Sequence, residues 1–216
     1  MSTRNASNTL NNLNLDPRPA LVWLRRDLRL TDHAALYHAL RRHARVYVAF
    51  IFDQDILDPL LRQDRRVEFI RESLVELDAA LREVGGALIV RHGQPRAEIP
   101  ALARELGVGA IYTNRDYEPA AVLRDRDVAE TLAKAGVDFH SFKDQVVFEC
   151  DEVLTQAGKP FTVFTPYKNA WYKKAALNDG DFYVCPYPVE RYFAHLATST
   201  LATGIPTLSD LGLETT

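Results

Sequence analysis

Cysteine is scarce in this 216-residue chain, which contains only Cys150 and Cys185. Two cysteines at this spacing match neither a zinc-binding pattern nor a disulfide framework, so we expect reduced thiols. No apolar run approaches the roughly 20 residues that span a bilayer, and the amino-terminal segment lacks an apolar core of the secretory kind. These absences predict a cytoplasmic protein with no membrane partner.

An excess of basic residues is also missing, because 26 Lys and Arg residues are set against 29 Asp and Glu residues. A free-standing DNA-binding domain is usually basic. If DNA is the final substrate, most of the charge that neutralises its phosphates must lie outside this chain. The 47% of hydrophobic residues is ordinary for a globular protein.

Two nucleotide-binding signatures are absent. The loop after the first predicted strand has no glycine, and no P-loop occurs, so a nicotinamide dehydrogenase and an ATPase are disfavoured. His33, His38 and His43 recur in steps that place successive rings about 140° apart on a helix, so they cannot share one metal ion. We predict no metal site, and we find no convincing hydrolytic triad.

Five short apolar runs alternate with helical patterns along the chain. Continuous apolar composition is typical of parallel strands that are covered on both faces. The alternation predicts an α/β fold, a doubly wound, Rossmann-like five-stranded parallel sheet with right-handed crossovers and strand order 3-2-1-4-5. The predicted strands are Ala20 to Leu24, Arg45 to Phe52, Ala87 to Val90, Ala110 to Thr113 and Val137 to Phe142.

The clearest helix is predicted over residues 64–84, where apolar side chains recur at steps of three and four. Asp64 can cap its start, and Gly85 can end it in a left-handed turn. Pro119 opens another helix, which stops at Gly136. The remaining helical patterns run from His33 to Arg42, from Pro95 to Leu106 and, after a turn, within Phe161 to Leu177.

We expect three parts in the chain. Residues 1–18 are rich in Asn and Ser and predict a disordered tail. Residues 19–178 form the α/β domain. Residues 179–216 read as the start of an interdomain linker without a closing element, so we expect a fragment of a longer protein.

A charged loop follows the first strand within LVWLRRDLRLTDH. Ligands bind beyond the carboxyl ends of the strands in an open α/β sheet, which makes Arg25, Arg26 and Arg29 candidates for an anion or interface site. A turn in which they form ion pairs with Asp27 and Asp32 explains the same residues. From these residues alone, the ion-paired turn is favoured.

A second polar cluster, TNRDYEP, follows the fourth predicted strand. Asn114, Asp116 and Glu118 would face the same crevice and could hold a small planar ligand. Capping of the helix at Pro119 accounts for them equally well.

The third cluster, FTVFTPYKNAWYKK, alternates aromatic side chains with lysines. Such a pattern can stack single-stranded bases. Because Phe164, Tyr167 and Trp171 fall at helical spacing, packing against a neighbouring element is the favoured interpretation.

Together these segments resemble the DNA photolyases and cryptochromes. LVWLRRDLRLTDH is similar to the first strand and loop of that family, and the strand Val46 to Asp53, TNRDYEP, RDRDV and FTVFTPYKNAW follow in the expected order. The resemblance covers Ala20 to about Leu177 and is greatest to a bacterial class I cyclobutane pyrimidine dimer photolyase. It implies the amino-terminal light-harvesting domain of a deoxyribodipyrimidine photo-lyase.

The resemblance also implies cofactors and partners. In the family, this domain holds an antenna chromophore, which is a folate, a deazaflavin or a second flavin, and a larger helical domain holds FAD and the damaged DNA. The antenna passes light energy to reduced FAD, which donates an electron to the dimer. The fragment is therefore expected to be inactive alone, to contain no catalytic residue and to be a monomer.

Residues of the antenna crevice can be carried over from the family one by one. They are Asp53 after the second strand, Asn114, Asp116 and Glu118 after the fourth strand, and Arg124 with the Phe50 to Phe52 wall.

The helix after TNRDYEP departs from the folate-binding members. These resemble Y-E-x-N-E, whereas this sequence has Ala120 and Ala121 where Asn and Glu are expected. Two polar folate contacts are missing, which favours a deazaflavin or flavin antenna, or none.

Two other interpretations stay open. A cryptochrome has the same architecture, and the residues that contact a lesion lie in the helical domain. The other is a stand-alone nucleotide- or flavin-binding α/β module. Trp23 and Trp171 are interpreted as packing residues, because the family's photoreduction chain belongs to the helical domain.

Overall fold

A computed structural model describes residues 15–176 and 185–216. The strands are β1 (Ala20–Leu24), β2 (Val46–Asp53), β3 (Leu88–Gly93), β4 (Ala110–Asn114) and β5 (Asp138–Phe142). The α-helices are α1 (Ala34–Arg42), α2 (Gln54–Leu57), α3 (Arg65–Glu83), α4 (Pro95–Leu106), α5 (Pro119–Lys134) and α6 (Phe164–Ala175). Short 3-10 helices cover Cys150–Glu152, Val189–His195 and Ser209–Leu211.

The five strands form one parallel sheet in the order β3-β2-β1-β4-β5. The predicted doubly wound topology is therefore confirmed. Chain order reverses between β1 and β4, and the carboxyl ends of β1, β2 and β4 all reach the same edge of the sheet. Such a switch point leaves a crevice above the strand ends.

Helices cover both faces of the sheet, which explains why β1 is buried along its whole length. On one face, Val22 packs in a core with Leu36 of α1 and Leu74 of α3. On the other face, Trp23 packs with residues of α4 and α5. Alternate side chains of a strand point to opposite layers, so every second residue of β1 belongs to the same core.

The helix boundaries follow the predicted caps. The Asp64 carboxylate accepts a hydrogen bond from the backbone N–H of Arg66 (2.9 Å), and Gly85 follows α3 at φ +88°. Helix α1 begins at Ala34, one residue later than predicted, because His33 is its cap: Nδ1 of His33 accepts from the N–H of Leu36 at 3.1 Å. Asp32 instead takes a left-handed conformation at φ +48°.

The outer strand β3 is longer than predicted. Polar side chains at Arg91 and His92 interrupt its apolar pattern, yet these residues pair with Ile51 and Phe52 of β2. The short helix α2, which the sequence analysis did not predict, follows β2 directly because the Asp53 side chain caps it.

Residues 185–216, predicted to begin a linker, pack on the domain. Val189, Leu196, Leu211 and Leu213 are buried in the core shared with α1 and α3. The Ala197 N–H donates to the carbonyl of Val46 at 2.9 Å. The predicted boundary between residues 178 and 179 lies outside the described residues.

Most of the predicted tail also lies outside the described residues, which begin at residue 15. Within them, the Asp16 N–H donates to the carbonyl of Arg42 at 2.8 Å. In the described part of the chain, no helix is long and apolar enough to cross a membrane.

Candidate functional site

A cavity of about 510 Å³ opens beyond the carboxyl ends of β1 and β2. Its size falls within the range of small-molecule sites. Part of its wall is aromatic and aliphatic, and this part includes Trp23, Phe50, Phe52, Ile56 and Leu123. We call it the apolar cavity.

Four of the predicted site residues line the apolar cavity together. Asp53 is the last residue of β2, Asp116 and Glu118 lie in the loop between β4 and α5, and Arg124 lies on the buried face of α5. The predicted wall of residues 50–52 belongs to the same lining. Strand ends and one helix thus bring together side chains that are far apart in sequence.

Asn114 does not line the apolar cavity. Alternation along β4 points its side chain toward α1, where its oxygen accepts the Ala35 N–H at 2.9 Å. Its amide nitrogen donates to the Asp27 carboxylate at 2.6 Å. Asn114 thereby joins β4 to α1 and to the loop after β1, and its structural role differs from the predicted role of a ligand contact.

Two arginines lie against the Trp23 ring beside the cavity. The guanidinium carbons of Arg25 and Arg124 are each 5.0 Å from the ring centroid. Asp125 forms an ion pair with both arginines, at 2.5 Å to Arg25 and 3.1 Å to Arg124. Because all three charged side chains are nearly buried, one carboxylate holds both cations in place over the indole.

Asp53 contributes a second carboxylate beside Arg124. One oxygen accepts the Asp55 N–H at 3.1 Å, and the other lies 3.4 Å from Nη1 of Arg124. Burial raises the pKa of Asp53, and the Asp55 hydrogen bond and Arg124 oppose this effect. Asp53 is therefore a partly desolvated polar group in an otherwise apolar wall.

The rim of the apolar cavity has charged side chains on one side and small side chains on another. Arg26 forms ion pairs with Asp116 at 3.3 Å and with Glu118. Ala120 and Ala121 lie in the lining, where their small side chains leave room for a ligand. One part of the rim therefore carries ion pairs, and another part leaves open space.

A second cavity of about 420 Å³ lies beside the first, and we call it the polar cavity. Arg29, Arg115 and Asp144 are among its lining residues. Arg25, Arg26 and Asp116 line both cavities. The loop after β1 therefore separates an apolar space from a charged one.

The loop after β1 is an ion-paired turn, as favoured, but the predicted acidic partners were wrong. Arg25 pairs with Asp125, Arg26 with the loop after β4, and Arg29 with Asp144 at 2.7 Å. All four carboxylates that pair with these arginines come from after β4, because that strand lies beside β1 in the sheet.

Asp27 has a different role from the one predicted for it. It accepts the Arg25 N–H at 2.8 Å and the Nε2 of His33 at 2.9 Å. Since Nδ1 of His33 accepts from Leu36, Nε2 carries the proton that faces Asp27. Burial alone would raise the pKa of Asp27, but its hydrogen bonds with His33 and the backbone outweigh that effect and lower it to about 2.

Packing explains only part of the aromatic helix α6. Trp171 packs edge-to-face on Phe148 at 5.4 Å between ring centroids, as the packing interpretation expects. Phe164 is 73% exposed and Tyr172 is 60% exposed, so the outer face of α6 is not covered by the described residues.

Sequence reasoning missed Asp125 and the position of Trp23 beside the cavity. A signal for Asp125 was present, since Arg124 occupies the apolar face of α5 with Ala121 and Val128 and a buried arginine requires an acidic partner. Trp23 carried no such signal, because a buried aromatic residue in a strand is ordinary core. Groups of three His, Cys, Asp or Glu that could hold a metal ion do not occur among residues 15–176 and 185–216.

Comparisons with known proteins place this geometry in a family. The family described as DNA photolyase matches residues 20–187. A deoxyribodipyrimidine photo-lyase from Synechococcus is 35% identical over 153 residues, which cover 71% of this chain and 32% of that protein. A cryptochrome DASH from Gloeobacter violaceus is 31% identical over 205 residues, which cover 93% of this chain and 40% of that protein.

The fold has a close counterpart among solved structures. A bacterial class III photolyase from Agrobacterium tumefaciens superimposes with a TM-score of 0.71 at 24% identity, over 94% of this chain and 39% of that one. The chain thus spans 32% to 40% of the length of these relatives. Because the family match covers most of the sequence, including the loop after β1, this chain belongs to the DNA photolyase family.

Proposed function

We propose that this chain is the chromophore-binding α/β domain of a deoxyribodipyrimidine photo-lyase, and that the apolar cavity is its antenna site. The observation that carries the proposal is the position of the cavity. It lies at the switch point of the sheet, and Asp53, Asp116, Glu118 and Arg124 all line it.

The lining suits a planar aromatic chromophore. Phe50, Phe52 and Trp23 offer ring surfaces, and Asp53 and Arg124 offer polar groups for ring heteroatoms. The open space at Ala120 and Ala121 supports a flavin or deazaflavin over a folate. When bound, such a chromophore supplies absorption of near-ultraviolet or blue light, while these residues bind and orient it and exclude water.

Chromophore binding to the 216-residue chain tests the site. We expect riboflavin and a 5-deazariboflavin to bind with micromolar dissociation constants, measured by quenching of the ligand's fluorescence, and 5,10-methenyltetrahydrofolate to bind at least tenfold more weakly. Adenosine monophosphate should bind negligibly, which separates an antenna site from a general nucleotide site.

A pair of variants on one helix locates the binding. Ala120→Phe fills the space at the cavity rim and should weaken riboflavin binding at least tenfold. Val122→Phe adds the same side chain at an exposed position that is not part of the lining. This variant should bind riboflavin as tightly as the wild type does. Equal weakening in both variants, or none in either, would place the chromophore elsewhere.

The activity of the whole protein is a further part of the proposal. Because the chain spans 32% of the Synechococcus photo-lyase, a helical region of a longer polypeptide is proposed to hold FAD and damaged DNA. The net charge of −3 supports this division, since this domain has no excess of basic residues for phosphates.

A cryptochrome is the second candidate function. The match to the cryptochrome DASH of Gloeobacter violaceus extends over 93% of this chain, further than the 71% covered by the photo-lyase match. Purification of the native polypeptide that contains this chain, followed by repair of a thymine-dimer oligonucleotide under blue light, separates the two. Repair above the dark control supports a photolyase. Flavin photoreduction without repair supports a cryptochrome.

A further inference from the structure

The apolar and polar cavities are adjacent parts of one crevice. Arg25, Arg26 and Asp116 line both. The chemical character changes across this boundary, from aromatic walls on one side to charged side chains on the other. A ligand that extended over both would therefore be amphipathic, with a planar ring at one end and a polar tail at the other.

Only Arg26 among the three shared residues is free to reorient. Arg25 is 9% exposed, is stacked on Trp23 and is bonded to Asp125 and to the Asn114 carbonyl. Asp116 is 12% exposed, and it accepts the Glu118 N–H at 3.2 Å. The side chain of Arg26 is 55% exposed, and its partner Glu118 is 62% exposed.

Exposed ion pairs of this kind contribute little stability. The guanidinium can therefore release Glu118 from Nη2 at small cost when a better anion arrives, while Nε stays beside the less exposed Asp116 carboxylate. A phosphate offers such an anion, because its oxygens accept two parallel N–H donors from the planar guanidinium.

The carboxylates of the polar cavity are engaged with protein donors. Asp144 accepts the Ala34 N–H at 3.0 Å and pairs with Arg29. Asp27 accepts from the backbone and from His33. Asp32 accepts the Tyr187 N–H at 2.8 Å, and Asp116 accepts the Glu118 N–H and lies beside Arg26. Because each of these four carboxylates already has a protein donor, a phosphate near Arg26 meets weaker repulsion than the number of acids suggests.

We propose that Arg26 is a specificity-determining residue, which selects a chromophore whose ring occupies the apolar cavity and whose phosphorylated side chain runs into the polar cavity. This inference rests on the proposed antenna site. It narrows the ligand from a planar ring to a phosphorylated flavin or deazaflavin.

Flavin mononucleotide and riboflavin test the inference, because they share one ring and differ by the phosphate. At low ionic strength we expect the wild-type chain to bind flavin mononucleotide at least tenfold more tightly than riboflavin. The ratio of the two dissociation constants should fall as salt is added, because salt screens the charge of the phosphate. Arg26→Gln should reduce this ratio to about twofold or less, because it weakens binding of the mononucleotide far more than binding of riboflavin.

Two further variants sharpen the test. Arg126→Gln removes the same charge from an exposed position of α5 that lines neither cavity, and it should keep the wild-type ratio. Glu118→Gln removes the competitor for Arg26 and should raise the ratio.

The outcomes separate the two proposals. Equal affinities of the wild type for the two flavins, or an Arg26→Gln variant that keeps the ratio, would overturn the role of Arg26 while the antenna site stands. Failure of the wild type to bind either flavin would overturn the antenna site itself, and this inference with it.

Discussion

Asp125 forms ion pairs with two arginines that are nearly buried. It faces Arg25 and Arg124, whose side chains are 9% and 10% exposed, and both guanidinium groups lie against Trp23. A buried cation that loses its partner keeps its desolvation cost without compensation.

We therefore expect Asp125→Asn to lower the free energy of unfolding by about 3 kcal/mol, measured by urea denaturation. Asp127→Asn is the matched control, because Asp127 also pairs with an arginine but is 39% exposed. That control should lose much less stability, because water and salt screen an exposed pair. Similar losses in both variants would show that the Trp23 cluster is not specially dependent on Asp125.

The pKa of Asp27 leads to a pH-dependent prediction. Its folded pKa of about 2 lies below the ordinary value of 3.8, so its stabilising effect is complete above pH 4 and is lost as the pH falls toward 2. Asp27→Asn should cost about 2 kcal/mol at pH 7, and the difference from the wild type should shrink between pH 4 and 3. Urea denaturation across this range measures it, and Asp151→Asn, at an exposed carboxylate, should show no such trend.

At the scale of elements, the carboxy-terminal segment behaves as part of the domain. Leu211 lies in a 3-10 helix, yet it belongs to the core that also contains Leu74 of α3. Most of the larger apolar side chains of residues 185–216 belong to or pack against this core, whereas Leu201 packs against the core on the other face.

We expect Leu211→Ala to lower the free energy of unfolding by about 2 to 3 kcal/mol, because it removes buried methyl groups from a packed core. Leu61→Ala, at a side chain that is 81% exposed, should change it by less than about 0.5 kcal/mol. Thermal or urea denaturation gives both values. If Leu211→Ala has no effect, the segment is a detachable linker, as its sequence suggests.

At the scale of the whole molecule, local stability is unevenly distributed. Two extensive cores pack on the faces of the sheet, whereas Ala175 and Trp171 of α6 pack in a small cluster with Phe148 and Val153. Elements with few buried apolar contacts open at lower free energy than core strands.

Amide hydrogen exchange should therefore show faster exchange in α6 than in β1. Trp171→Ala, which removes the aromatic contact with Phe148, should accelerate exchange in α6 while β1 keeps its protection. Equal protection of α6 and β1 would mean that α6 unfolds only together with the sheet.

Local patterns were enough to predict the five strands and the ends of most helices. Asp64, Gly85 and Pro119 acted as caps and stops because their effects depend on nearby backbone atoms alone. The extension of β3 over Arg91 and His92 was missed, because pairing with β2 overrides their polar character.

The candidate site was predictable in outline. Asp53, Asp116 and Glu118 follow strands whose carboxyl ends meet at one edge, so strand order alone brings them together. Asn114 lines the polar cavity and not the apolar one, and only the packing of α1 against β4 shows that its amide is used by Ala35 and Asp27.

The sequence by itself determined the α/β fold class, which depends on periodicity, and the family resemblance of the loop after β1, which depends on a contiguous motif. The strand order was expected as the usual one for a doubly wound sheet, and strand pairing confirmed it. Only the tertiary structure decided which acid neutralises each arginine. Arg25 and Asp125 are 100 positions apart, and no local pattern couples them. The two adjacent cavities that meet at Arg26 likewise arise from the way strand ends, loops and α5 pack in three dimensions.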